Sequence, residues 1–277
     1  MKYIRLLRLQ DQYILIGIIL ASAVYFRLWN QFIFFWGVSA ISISIAAFII
    51  NEIVDQEDTD KYSWNPIHIR KNEKLNFKAV VLIFAIFSVL GIGLGYLSGL
   101  FWWGIGMYVV GIGYSLKPIR LKGRFALDII AQILVWIVLP FAAVAWKSGQ
   151  LPRVLPLLLF ASCLWSIIFP YQLADYDADQ KAKLANTHVI IGMRNSLVFG
   201  LILAVISIIL FFVFKIFVVA RWSWFFFVVN LFALTQYIRW LRMKHLAKQL
   251  KSLQDYVRTV KPLGYLIVPY FLLWIFI

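Results

Sequence analysis

Between residues 12 and 51 the only charged side chain is Arg27, and between 77 and 115 it is Lys78. Similar charge-poor stretches recur at 126–146, 153–174 and 196–239. Runs of this length cannot be solvated as surface, and each is long enough to cross a hydrocarbon layer that needs ~20 apolar residues. The chain is 63% hydrophobic and only 14% charged, too little polar surface for a water-soluble domain. The sequence therefore describes an all-α, polytopic membrane protein.

The charge balance excludes some functions and supports others. A net charge of +15 would suggest nucleic acid in a soluble protein, but here no water-soluble face is large enough to carry such a site. The lone Cys163 lies in an apolar run, where it packs as a small hydrophobe and forms no intrachain disulfide. The start MKYIRLLRLQDQ resembles a signal peptide. Its apolar run leads into Arg27 and aromatics without a small-residue cleavage site, so it reads as the first span.

About nine spans are predicted, near 12–29, 31–51, 77–97, 100–115, 126–146, 153–174, 196–216, 220–239 and 263–277. With the N-terminus inside, all but five of the 27 Lys and Arg residues fall on that side. The exceptions are Arg27, Lys147, Arg153, Lys215 and Arg221. This is the positive-inside pattern, and it places the basic face in the cytoplasm of a cell whose inner membrane holds the protein. No long linker divides the chain, so residues 1–277 read as one domain.

The 12 acidic residues all fall on the basic side as well, although acids need not follow the topology rule. Two clusters stand out: Asn51-Glu-Ile-Val-Asp55-Gln-Glu57-Asp58-Thr-Asp60 after the second span, and Asp175-Tyr-Asp177-Ala-Asp179 after the sixth. Asn51 and Asp55 are four apart, as are Asp175 and Asp179, so on a helix each pair shares a face. Like charges at that spacing repel unless a cation lies between them. Hard oxygen donors of this kind suit Mg2+, which binds through a few carboxylates together with substrate phosphates. The bland alternative is solvated loop charge, and Glu57, Asp58 and Asp177 fit it.

Between the clusters, Tyr114-Ser-Leu-Lys117-Pro118-Ile-Arg120-Leu-Lys122-Gly-Arg124 closes the fourth span. Its Arg and Lys could hold phosphate oxygens or simply anchor the chain at the membrane surface. Tyr114 could equally be an interfacial aromatic. Lys183, four residues after Asp179, is either a phosphate ligand or a salt-bridge partner.

These three motifs in series resemble the UbiA superfamily of intramembrane prenyltransferases over about residues 10 to 200. The resemblance implies a bundle of about nine transmembrane helices around a central cavity and Mg2+-dependent transfer of an isoprenyl group from an isoprenyl diphosphate to a lipophilic acceptor. Asn51, Asp55, Asp60, Asp175 and Asp179 would hold the metal. Asn51, Tyr114, Arg120, Lys122 and Lys183 would hold the diphosphate. Asp55, Asp175, Asp179, Arg120 and Lys122 would be catalytic. The family's usual third acidic position falls here on Thr59, flanked by Asp58 and Asp60, of which Asp60 is preferred. A competing reading is a transporter of Mg2+ or an organic anion, which would place charged residues near the bilayer midplane.

The remaining polar residues suggest less. His68, His188 and His245 read as loop residues without zinc spacing. Residues 240–262 read as a basic amphipathic stretch lying on anionic lipid, or as a plain charged loop.

Overall fold

The computed structural model describes residues 2–58, 62, 75–216, 223–264, 266, 269, 270 and 273. Every regular element among them is a helix. After a short N-terminal helix, Lys2–Leu6, come α1 (Tyr13–Phe26), α2 (Gln31–Asp58), α3 (Phe77–Leu97) and α4 (Phe101–Ser115). They are followed by α5 (Leu127–Lys147), α6 (Leu155–Ala174), α7 (Thr187–Val213), α8 (Ser223–Arg242) and α9 (Leu246–Gly264). Helices α1 to α8 fall on the first eight expected spans. Six of them are long and apolar enough to cross a membrane, while α1 has 14 residues and α4 has 15. The expected ninth span, 263–277, falls largely outside the described residues.

Helix lengths explain why the polar residues gather where they do. At 1.5 Å per residue, the 28 residues of α2 run about 42 Å, well beyond a hydrocarbon core of about 30 Å. The last turns, from Asn51 onward, therefore emerge from the apolar layer. Helix α4 has the opposite mismatch: its 15 residues reach only about 22 Å, so the loop after Ser115 starts below the surface. That loop carries Lys122, which is buried.

Two groups of helices pack as units. Helix α2 lies against α3 and α4, and α7 lies against both α6 and α8, while α1 packs on α5. Close approach in each group depends on a glycine. A Cβ at Gly91 of α3 would come within 2.7 Å of the Ile43 side chain on α2, and one at Gly200 of α7 within 2.4 Å of the Tyr237 ring on α8. Polar side chains join helices inside the apolar region too. Asn230 of α8 donates to the Ala204 carbonyl on α7 at 2.9 Å and accepts from Ser166 of α6 at 2.8 Å.

Two expectations about local structure need correction. Residues 246–264 form a basic amphipathic helix and not a plain loop, but its apolar face packs on the protein. In α9 the apolar side chains Leu253, Tyr256 and Val257 are buried in the same core as Trp240 and Phe169, and Lys248, Lys251 and Arg258 face outward. The period of its apolar residues is that of a helix, but only the fold supplies the surface that covers them. His188 is likewise no loop residue; it occupies the first turn of α7 and is buried.

Candidate active site

The last turns of α2 present Asn51, Glu52 and Asp55, each tied to a different segment. Asn51 Oδ1 accepts a hydrogen bond from the Ser115 hydroxyl at the end of α4. Glu52 pairs with Arg8 from the N-terminal segment, whose guanidinium also lies 5.1 Å from the centre of the Phe48 ring. Asp55 pairs with Lys122 from the loop after α4. Both carboxylates are almost fully buried, and buried charges are retained where they are paired.

The second cluster sits where α6 ends. Asp175 occupies the junction between α6 and the short helix Tyr176–Lys181, and its carbonyl accepts from the Asp179 N–H at 2.9 Å. Asp177 lies on the other side of that helix, exposed, and pairs with Lys181 at 2.6 Å. Lys183 makes no ion pair with Asp179; it is exposed at a left-handed turn, with φ of 56°. Asp179 Oδ2 is instead met by Asn186 Nδ2 and His188 Nε2, each at 2.8 Å.

Three polar segments come together in this region. Lys122 lies near enough to Asp179, Asp175 and Glu52 for all three to favour its charge, so both acidic clusters face one ammonium. Burial pushes that ammonium down to about 8 against the pull of those acids, with Arg8 adding to the downward push. The loops are also joined through their backbones, since Arg124 and Ala185 run side by side as a parallel bridge. Asp128, at the start of α5, accepts from both the N–H of Thr187, at 3.1 Å, and its hydroxyl. That hydroxyl oxygen accepts in turn from the Ala126 N–H at 2.8 Å, which locks the start of α5 to the start of α7.

Just inside the membrane, Tyr114 shares hydrogen bonds with Gln132 of α5 and Gln172 of α6. Tyr114 is thus a half-buried partner of two amides, not a lipid-facing interfacial ring. Arg120 holds a left-handed backbone, φ 38°, in the loop that carries Lys122. Asp60 lies outside the described residues.

The donor set suits a hard divalent cation. Asn51, Asp55, Asp175 and Asp179 offer only oxygen donors, and the position between the two clusters already holds a cationic group, Lys122. Among the described residues no three acidic, histidine or cysteine side chains converge tightly enough to chelate a metal alone. Such a site fits Mg2+, which keeps several waters and takes substrate phosphate oxygens in addition to one or two carboxylates.

The UbiA prenyltransferase family profile matches residues 13–255, from the start of α1 into the middle of α9. The chain belongs to the UbiA prenyltransferase family. No curated protein matches it by sequence. Among solved structures, a UbiA homolog from Archaeoglobus fulgidus bound to Cd2+ is 21% identical, covers 100% of both chains and superposes with a TM-score of 0.69. The same homolog bound to GPP and Mg2+ gives 20% identity, 100% of both chains and 0.66. A digeranylgeranylglyceryl phosphate synthase gives 18% identity, 98% of both chains and 0.62. At these identities the likeness concerns the fold, and it runs the full length of this UbiA chain.

Sequence spacing pointed to most of the residues in this region but missed several that hold them. Arg8, Asp128, Gln132, Gln172 and Asn186 gave no motif, and Glu52 stood in the first cluster without an assigned role; each acts through a partner distant in sequence or in a neighbouring turn. Asp128 alone carried a visible signal: it is a carboxylate at the start of an otherwise apolar run.

Proposed function

We propose that this protein transfers an isoprenyl group from an isoprenyl diphosphate to a lipophilic acceptor within the membrane, on the cytoplasmic side of the cell's inner membrane. The observation that carries this reading is the convergence of both acidic clusters on Lys122 at one membrane face. A GPP and Mg2+ complex of a homolog with the same fold supports it.

Residues 1–277 act as one catalytic domain. Asn51, Asp55, Asp60, Asp175 and Asp179 would hold Mg2+, which would supply positive charge to the diphosphate oxygens. Lys122, Arg120 and Lys183 bind the phosphate oxygens, Arg120 in a fork and the lysines as point charges. Asn51 and Tyr114 fix the end of the diphosphate nearest the membrane, through the hydrogen bonds that Ser115, Gln132 and Gln172 make to them. In the reaction the allylic C–O bond breaks and the diphosphate takes the electron pair. The acceptor then forms a bond to the allylic carbon and gives up a proton. The apolar bundle excludes water that would otherwise capture the cation. Phe48, one turn before Asn51, meets Trp136 of α5 with ring centres 5.6 Å apart and begins the wall beside the isoprenyl chain.

The acceptor is a quinone precursor, an isoprenoid lipid or carotenoid, or a compound of similar character. Product analysis of membranes containing the protein, given isoprenyl diphosphates of several lengths and a panel of such acceptors, tests the reading. The expected result is one prenylated product with release of inorganic diphosphate. Absence of diphosphate release with every pair would refute it.

A further inference from the structure

Asp179 is held by two side chains that the mechanism above does not use. Asn186 Nδ2 and His188 Nε2 both lie 2.8 Å from the same oxygen, Oδ2. The orientation of each is fixed by a second contact. Asn186 Oδ1 accepts from the Val189 N–H at 3.2 Å, so its NH2 group is the end that faces Asp179. His188 is 2% exposed, with its ring packed 6.1 Å from that of Tyr176, and a ring nitrogen against a carboxylate carries the proton. Thr187, between them, is pinned to Asp128 through both its N–H and its hydroxyl. The turn therefore cannot move without breaking several buried hydrogen bonds.

Two donors on Oδ2 occupy both lone pairs of that oxygen, which leaves Oδ1 as the oxygen with capacity for a further partner. We infer that Asn186 and His188 are positioning residues that lock Asp179 as a one-oxygen ligand and so set the Mg2+ concentration at which the protein takes up an isoprenyl diphosphate. This inference rests on the function proposed above. An outer group that orients a metal-binding carboxylate changes affinity without touching the metal itself. A merely structural contact would change stability alone.

The test measures geranyl diphosphate binding to the purified full-length protein as a function of Mg2+, alongside the melting temperature in EDTA. His188→Leu is expected to raise the Mg2+ midpoint about 10-fold or more, the usual cost of losing such a partner. His188→Gln, whose amide can place a donor near the Nε2 position, should restore it close to wild type. If His188→Leu fails to fold, Asn186→Ser replaces it, because Ser keeps the helix cap but cannot reach Asp179; it too should raise the midpoint. A lower melting temperature with an unchanged midpoint would overturn the inference. So would an unchanged midpoint in His188→Leu where Asp179→Asn raises it, and in that case the proposed function stands. Failure of the wild-type protein to bind geranyl diphosphate with Mg2+ would instead remove the function and this inference together.

Discussion

Lys122 and Asp55 are 67 positions apart in sequence and form a buried ion pair at the end of α2. The pair draws the loop after α4 onto the first acidic cluster, and the second cluster acts on the same ammonium. Lys122 thus stands where a bound cation would balance the carboxylates.

That arrangement makes a direct prediction for the metal-free protein. Removing one partner of a buried ion pair leaves the other uncompensated, at a cost of roughly 3–5 kcal/mol. Lys122→Met should therefore melt well below wild type in EDTA, and Mg2+ should recover part of the loss by taking over the role of the ammonium. Thermal unfolding in detergent with and without Mg2+ measures both effects. A variant equally unstable in both conditions would show that the position has no affinity for metal.

The two clusters also predict a graded mutational response. Asp55→Asn and Asp175→Asn should each lower turnover ~100-fold or more, comparable to losing one donor at a charge-stabilising site. Asp177→Asn should have little effect, since Asp177 is exposed on the far side of its helix and pairs with Lys181. Initial rates of diphosphate release decide it. Equal losses at Asp175 and Asp177 would point to a general charge effect.

Much of this was legible in the sequence, because helices and membrane spans follow from local composition. The apolar runs matched α1 to α8, and the i,i+4 spacing set Asn51 with Asp55 on one face of α2. The partners of those acids were not legible. Arg8 meets Glu52 across 44 positions and Asp128 meets Thr187 across 59, and no periodicity encodes contacts of that range. The loop position expected for His188 failed for a similar reason: Asn186 caps α7 just before it, but the polar run 175–188 gives no apolar period to mark where the helix begins.

The Asp128–Thr187 lock has its own energetic signature. Hydrogen bonds to a charged group contribute about 1.5–3 kcal/mol. Asp128→Ala and Thr187→Val should each destabilise the protein by that order, and the double variant should lose less than the sum because both remove the same contact. Chemical denaturation of the four proteins in a double-mutant cycle measures the coupling. Strict additivity would mean that the contact contributes nothing.

Sidedness can be tested independently of activity. A reporter inserted after residue 122, 183 or 245 should lie in the cytoplasm, and one after residue 99 or 149 on the opposite side. Opposite locations for 122 and 183 would contradict the side-by-side placement of Arg124 and Ala185.

The central claim is that the two clusters form one site for a metal-bound isoprenyl diphosphate. Calorimetric titration of geranyl diphosphate into the protein, at zero and saturating Mg2+, tests it most directly. The predicted result is positive coupling: Mg2+ tightens diphosphate binding, the diphosphate tightens Mg2+ binding by the same factor, and either Asp55→Asn or Asp175→Asn abolishes the coupling. Tight Mg2+ binding that is indifferent to the diphosphate, or coupling that survives loss of one cluster, would contradict it.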